Sequence, residues 1–407
     1  MSRANRILRK PSRTVLPPLP LPRPVHLDDA KPSVSLPHTP AVNAGLEDVT
    51  VCQSAICFID GHLGRLIYRG YDAIDLAEGS SFEEVTYLLW HGRLPGAGEL
   101  AAFRAMPDTD DLPWPIITQM RLLPVTAHPM SVLRTAVSAL EAWDDGGDTG
   151  VEATLRTACR LLRWLPWLVA THHRIRRGLD PVMPCPDKSI ADNFLYTLHG
   201  QEPTATALQA LDAALILHAD HELNASTFAA RVTAATLTDI YSALTSAIGA
   251  LKGSLHGGAN EQVIRMLDEI GTPDLAEAWV LDALAHKRKV PGFGHRVYRT
   301  DDPRATVLRA YAAHLSHLAG DTRRFDISVA VEQAMRRYSK VYPNVDFYSG
   351  ICYTAMGIPA DLFTPIFACS RLAGWIAHIL EQWEHNRLIR PKAEYTGPMD
   401  LVYRPVD

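Results

Sequence analysis

The feature that most constrains this chain is a succession of apolar stripes at helical spacing that begins at Ser81 and runs almost to the C-terminus. Ser81 followed by Glu84 makes a capping box, behind which Phe82, Val85, Leu88 and Leu89 recur until Leu94-Pro95 ends the element. Similar stripes occupy about 131–143, 151–176 with a kink expected at Pro166, 189–199, 204–219, 226–250, 259–270, 273–287, 303–318, 328–340, 347–357 and 361–386. So many helices and so little else predict an all-α globule. The strand signal is confined to Ser54–Asp60 and Arg65–Arg69, which flank Gly61-His-Leu-Gly64 as a short N-terminal β-hairpin. No fixed-period repeat is visible, which disfavours a solenoid.

Composition limits the function classes. A 407-residue chain that is 47% hydrophobic and 21% charged can bury a substantial core. Forty basic against forty-five acidic residues leave a formal charge of -5, so nothing global favours nucleic acid and any anion site must be local. Six cysteines, Cys52, Cys57, Cys159, Cys185, Cys352 and Cys369, form no CxxC pair and read as reduced thiols. The richest apolar runs are broken by His, Asp, Arg or Thr short of the roughly 18 residues a membrane span needs, so a protein without a membrane partner is expected. Residues 1–44 are different: nine prolines between Pro11 and Pro40 prevent a helix, and a disordered leader is expected there. Its first 27 residues carry Arg3, Arg6, Arg9, Lys10, Arg13 and Arg23 with no acid, as a transit peptide would. The prolines spoil the amphipathic helix such peptides form, and a cytoplasmic protein is the expectation.

Four segments carry polar residues that need a reason. His218-Ala-Asp-His-Glu-Leu-Asn-Ala-Ser-Thr227 interrupts an apolar helix. His218 and His221, three apart with Glu222 adjacent, raise a zinc hydrolase, although the order is neither HExxH nor HxxEH; the alternative is a junction where Asp220, Asn224 and Ser226 bond backbone groups. Gly253-Ser-Leu-His-Gly-Gly-Ala-Asn260 places His256 before a helix N-terminus, where the helix dipole keeps an imidazole neutral and able to hydrogen-bond an oxygen that gains charge. A glycine-rich turn for close packing is the other reading, and GxxxxGK[ST] is absent. Six of the eighteen residues 287–304 are Lys or Arg around Pro291-Gly-Phe-Gly-His295. Open amides with flanking cations suit a diphosphate or carboxylate and His295 can polarise a carbonyl beside them, while Lys287 and Arg288 read as a solvated face. In Tyr342-Pro-Asn-Val-Asp-Phe-Tyr-Ser-Gly350 an apolar setting would raise the pKa of Asp346 and suit a general base; otherwise Asp346 caps a helix beginning at Phe347. Arg371 and Arg390 sit in apolar contexts, where a guanidinium implies a paired carboxylate.

Taken in order and at these intervals, HADHE, LHGGAN, PGFGH with DPR, PNVDFYSG, SRLAGW and RLIRPKAEY resemble the citrate synthase family from about Gly45 to Gly397. The resemblance implies a large helical domain (45–257 and 358–407, ending in a C-terminal arm) with a smaller helical domain inserted at 258–357, and condensation of acetyl-CoA with oxaloacetate. It assigns His256, His295 and Asp346 to catalysis, and His221, Arg304, Arg371 and Arg390 to the oxaloacetate carboxylates. Val290, Pro291, Gly292, Gly294 and Arg299 fall to CoA. It implies a homodimer at least, with a hexamer the alternative, in which Arg390 reaches the neighbouring site. No metal and no cofactor is implied, acetyl-CoA being a substrate. 2-Methylcitrate synthase, which uses propionyl-CoA, is the alternative within the family. Ser254 departs from the pattern, standing where many members have proline.

Overall fold

The computed structural model describes residues 43–47, 49–105, 114–144, 150–399, 401–403 and 405–406. The expected disordered leader therefore lies outside the described residues apart from Asn43 and Ala44. The chain divides into a larger unit, Cys52–Ala393, and a smaller one drawn from the residues before Cys52 and after Ala393. The latter holds a short 3-10 turn, Ala44–Leu46, and irregular chain in which the Tyr395 hydroxyl donates to the Pro398 carbonyl (2.8 Å). The boundaries 258–357 expected for an inserted domain fall inside the larger unit.

The hairpin forms where expected. β1 (Cys57–Asp60) pairs antiparallel with β2 (Arg65–Tyr68), Phe58 opposite Ile67 and Asp60 opposite Arg65, and a two-residue β3 (Tyr71–Asp72) adds to the other edge of β2. Asp60 Oδ1 accepts the N–H groups of His62 (2.9 Å) and Leu63 (2.8 Å), so the aspartate closes the turn.

Everything else regular among the described residues is helical: α1 (Ala73–Gly79), α2 (Phe82–His91), α3 (Ala97–Ala105), α4 (Trp114–Leu122), α5 (Pro129–Leu140), α6 (Val151–Arg176), α7 (Ile190–His199) and α8 (Ala205–His218). There follow α9 (Ala225–Ala234), α10 (Ile240–Leu251), α11 (Ala259–Ile270), α12 (Ala276–Ala285), α13 (Pro303–Leu318), α14 (Arg323–Tyr338), α15 (Val345–Ala355) and α16 (Phe363–Glu384). Side-chain caps set many of the starts. The Ser81 capping box is present in both directions, Ser81 N–H to Glu84 Oε2 (2.9 Å) and Glu84 N–H to Ser81 Oγ (3.4 Å). The single helix expected over 226–250 is two, because Leu237 adopts φ +62° and Asp239 caps a new start by accepting Ser242 N–H (2.7 Å). The stripe at 328–340 starts earlier, at Arg323, and Pro166 lies within an α6 that continues past it.

At the centre runs α16. By length and composition, Ala360–Glu384 would pass for a membrane span, yet every residue from Leu362 to Ile379 is buried inside the protein. An all-round apolar helix buried this way is a core helix. It packs against α2, α6, α8, α9 and α10, and its buried polar residues include Arg371 and His378. Both serve the region where α8 ends.

Candidate active site

Six side chains that the sequence singled out, His221, His256, His295, Arg304, Asp346 and Arg371, line one cavity of about 430 Å³. They arrive on different elements. His221 lies in the turn between α8 and α9, His256 just before α11, His295 in the glycine-rich turn ahead of α13, Arg304 in the first turn of α13, Asp346 in the first turn of α15, and Arg371 in the middle of α16. Phe367 on α16 lies among them, its ring 6.5 Å from that of His256 and 4.6 Å below the Arg371 guanidinium.

Backbone groups fix the tautomers of two histidines. His256 Nε2 accepts the Ser226 N–H (3.2 Å), with the Ser226 hydroxyl 2.8 Å away; burial, then Arg371, pulls its pKa down to about 4. A neutral ring that accepts at Nε2 carries its proton on Nδ1. His295 is the mirror case: Nδ1 accepts from the N–H groups of Val297 and Tyr298 (both 3.0 Å), which leaves the proton on Nε2. Its pKa is also lowered to about 4, first by burial and then by Arg304. Both rings are neutral N–H donors. For His256, which stands just before the start of α11 as the sequence placed it, burial is the first cause and Arg371 the second.

Lysine and arginine outnumber the two carboxylates, Glu222 and Asp346, among the residues that line the cavity. Arg304 is buried, and Asp302 grips it through Nε (2.9 Å) and Nη2 (2.7 Å), which leaves Nη1. Arg371 spends only Nε, on the His218 carbonyl (2.7 Å), and keeps both terminal nitrogens. The His221 ring lies 4.9 Å from that of His295; burial, then Arg304, holds its pKa well below the usual imidazole value. Asp346 is not the cap of its helix. Asn344 is, accepting the Asp346 N–H (3.0 Å), so the Asp346 carboxyl remains available. Partly open to the cavity but ringed by protein, it is pushed up to about 6, chiefly by loss of hydration, against the pull of Arg304, Arg371 and Lys289. A carboxylate of that basicity, two neutral N–H donors and unspent guanidinium nitrogens can take a proton from a weak acid and stabilise the oxygen that becomes negative.

Other expectations are met differently. Two amides of the glycine-rich turn are already spent: Gly294 N–H donates to Tyr342 O (2.9 Å) and Phe293 N–H to Val290 O (3.3 Å). Gly292, at φ +76°, packs so tightly that a Cβ would sit 2.7 Å from Val263 and 2.8 Å from Phe347. Gly294 lines the cavity, whereas Val290, Pro291, Gly292 and Arg299 do not, and Lys289, which the sequence did not single out, does. Arg390 is exposed beyond α16 and lies outside this cavity. His218 is a core residue whose Nδ1 donates to Ala214 O (2.7 Å), and no group of three or more His, Cys, Asp or Glu among the described residues is placed to hold a metal ion, so the donor set of a zinc hydrolase is not assembled. Sequence reasoning also missed Asp302, whose signal was its place two residues before Arg304 in Asp301-Asp-Pro-Arg304, and His378, which had none.

Residues 45–392 match the model of the citrate synthase C-terminal domain. The chain is 50% identical over 372 residues to a citrate synthase of Haloferax volcanii, covering 89% of this chain and 98% of that one. It is 43% identical over 362 residues to a 2-methylcitrate synthase of Mycobacterium tuberculosis, covering 88% and 91%. Among solved structures, a Thermoplasma acidophilum citrate synthase in ternary complex with carboxymethyl coenzyme A and oxaloacetate superposes with a TM-score of 0.86 at 35% identity, covering 90% of this chain and 99% of that one.

Proposed function

The chain belongs to the citrate synthase family of acyltransferases, and we propose that it condenses acetyl-CoA with oxaloacetate to citrate and free CoA. The observation that carries this reading is the pair of histidines locked as neutral donors in one cavity with a carboxyl raised to about 6. Asp346 takes a proton from the methyl group of acetyl-CoA while His256 Nδ1–H hydrogen-bonds the thioester oxygen, giving an enolate held by that bond. His295 Nε2–H polarises the oxaloacetate ketone, the enolate carbon attacks the ketone carbon, and the new alkoxide takes up one proton, which balances the one that Asp346 removed. Water then cleaves the citryl thioester and releases CoA as a thiol. Arg371, Arg304 through Nη1, and His221 bind the oxaloacetate carboxylates. The stretch from Val290 to Gly294 contacts the CoA nucleotide, and Arg299, with Lys289 at the cavity wall, takes its phosphates.

Residues 258–357 act as the inserted smaller domain: His295, Arg304 and Asp346 ride on it, while His221 and Arg371 do not, so closure completes the site and excludes water. Arg390 completes the site of a neighbouring subunit in a homodimer. Mixing subunits tests that: Asp346→Ala and Arg390→Ala chains, each inactive alone, recover about a quarter of wild-type activity when co-refolded if the arginine acts across the interface. No recovery means it acts within its own chain.

The similarity to a 2-methylcitrate synthase favours a second reading, propionyl-CoA as the acyl donor. One methylene in an apolar pocket is worth only about 1–3 kcal/mol, so both substrates turn over and the ratio decides. Thiol release from acetyl-CoA and from propionyl-CoA, each with oxaloacetate, is the measurement. The higher kcat/KM names the substrate, and no release with either rejects the condensation.

A further inference from the structure

The turn that carries His221 into the cavity does not hold itself. Between the end of α8 and the start of α9 the backbone breaks from helix, and Glu222 takes φ +49°, a left-handed conformation that costs a non-glycine residue energy. Asp220, fully buried, sits at the centre of what holds it. One carboxylate oxygen, Oδ2, accepts the Glu222 N–H (3.1 Å), and the backbone of Asp220 is bonded on both sides by the Tyr68 hydroxyl, from its N–H (3.3 Å) and to its carbonyl (3.0 Å). His378, on α16, lies behind it with Nε2 at 3.3 and 3.4 Å from the two carboxylate oxygens.

The direction of that contact is set further back. His378 Nδ1 lies 3.0 Å from Arg231 Nη1, and an arginine only donates, so Nδ1 accepts and the ring proton on Nε2 points at Asp220. Arg231 is itself anchored on α9 by Glu381 (2.7 Å) and Gln382 (3.2 Å), and Glu381 also accepts the Ala55 N–H (2.9 Å). The helix and the turn meet with almost no space. Gly374 N–H donates to Ala219 O (3.0 Å), and a Cβ at Gly374 would lie 2.3 Å from Asp220 Oδ1 and 2.4 Å from Ala219 O. Asp220 is also the principal negative charge acting on Arg371, three residues before Gly374 on the same helix. Neither Asp220 nor His378 lines the cavity.

A chain of buried charges is a costly way to fill space, since apolar residues of similar size would pack at least as well. What this chain does, and packing would not, is fix the direction of one histidine and balance one arginine. We propose that Asp220 and His378, neither of which touches substrate, are positioning residues for the dicarboxylate: through the Glu381–Arg231–His378–Asp220 series they hold His221 and Arg371 in the arrangement that grips oxaloacetate. The proposal rests on the assignment of oxaloacetate to this cavity.

Oxaloacetate Kd by titration calorimetry, with KM for acetyl-CoA at saturating oxaloacetate, tests it on the full chain. Asp220→Asn is expected to weaken oxaloacetate at least about tenfold and to leave the acetyl-CoA KM within about twofold. Should that variant not fold, His378 decides. His378→Phe keeps the bulk without a donor and is expected to weaken oxaloacetate about tenfold, whereas His378→Gln, whose amide can donate to Asp220, stays within about threefold of wild type. Folded variants that melt earlier yet bind oxaloacetate as wild type does, or Phe and Gln variants that behave alike, would overturn the proposal and leave the pair as packing. Failure of the wild-type protein to bind oxaloacetate at all would instead overturn the reading of the site beneath it.

Discussion

Two short segments deliver histidines to the same cavity and are built in opposite ways. The Ala219–Asn224 turn that carries His221 is clasped by the Tyr68 hydroxyl, by the buried Asp220 and His378, and by the backbone of α16 at Gly374. The Lys252–Gly258 loop that carries His256 leans mostly on its own backbone, Gly253 N–H to Ala250 O (3.1 Å), His256 N–H to Gly253 O (2.9 Å) and Gly257 N–H to Leu251 O (2.9 Å), and reaches the rest of the protein through the Thr364 hydroxyl to Gly257 O (2.9 Å) and the His256 ring at the Ser226 N–H (3.2 Å). Lys252, Gly253, Ser254 and Leu255 are exposed, Leu255 to 99%. A rigid half suits a small diacid that has to be held the same way on every turnover. An open half suits a long acyl-CoA that arrives from solvent. On the proposed assignment the contrast is the division between the two substrates, and it can be attacked from either side.

The heaviest blow falls on the acyl-CoA side. Asp346→Ala is expected to lower kcat about a thousandfold while oxaloacetate Kd stays within about twofold, because the residue is a base and not part of the diacid grip. Thiol release and calorimetry on the same preparation show it, and an equal loss of oxaloacetate binding would erase the division. Next comes the rigid side. Arg371→Lys keeps the charge but loses the planar fork and the bond to the His218 carbonyl, and is expected to raise the oxaloacetate KM about 30-fold or more with little change for acetyl-CoA.

The two sides also separate on a pH axis. A carboxyl raised to about 6 is protonated below that pH and cannot accept a proton, so kcat/KM for acetyl-CoA is expected to fall about tenfold per unit as pH drops below about 6. His256 and His295, lowered to about 4, stay neutral from pH 5 to 8, and oxaloacetate Kd should be nearly flat over that interval. An acid limb near 4 in the rate profile would mean that Asp346 is not the base. A slope in oxaloacetate Kd between 6 and 8 would mean that a site histidine titrates there.

How much of this was legible in the chain follows the same line. Local signals translated directly: the Ser81–Glu84 capping box, the two ends of α6, and the hairpin around Gly61 stand where the residues placed them. His256, His295 and Asp346 were visible because each sits in a short polar motif inside apolar sequence, and the structure brings them to one cavity. What escaped is what depends on distance along the chain. His378 and Asp220 are 158 residues apart, and nothing in the buried, apolar α16 marks one histidine as an anchor. The break at Leu237 escaped because the apolar stripe continues across it, and only the Asp239 cap and one left-handed residue end α9. The helix α3 escaped because only Phe103 in it is buried, too little to make a stripe. At Asp346 the sequence offered a cap or a base as alternatives; with Asn344 two residues earlier taking the cap, the carboxyl is left for chemistry.

The smallest expected effect tests the open loop itself. Ser254 stands where many members of the family have proline, and it is exposed, its φ is not positive, and no backbone hydrogen bond from its N–H is made. A proline there removes freedom from the unfolded chain without removing a bond, so Ser254→Pro is expected to stabilise the protein by about 0.5–1 kcal/mol, a rise in Tm of a degree or two for a chain of this size. If the loop's looseness matters for admitting acyl-CoA, the KM for acetyl-CoA shifts by about twofold while oxaloacetate Kd does not move, because the clasped turn is untouched. A gain in Tm with both constants unchanged would show that the loop is loose by composition rather than for entry. A loss of Tm would show that the backbone at 254 cannot take proline's φ, and that this chain has built the approach to His256 differently from its relatives.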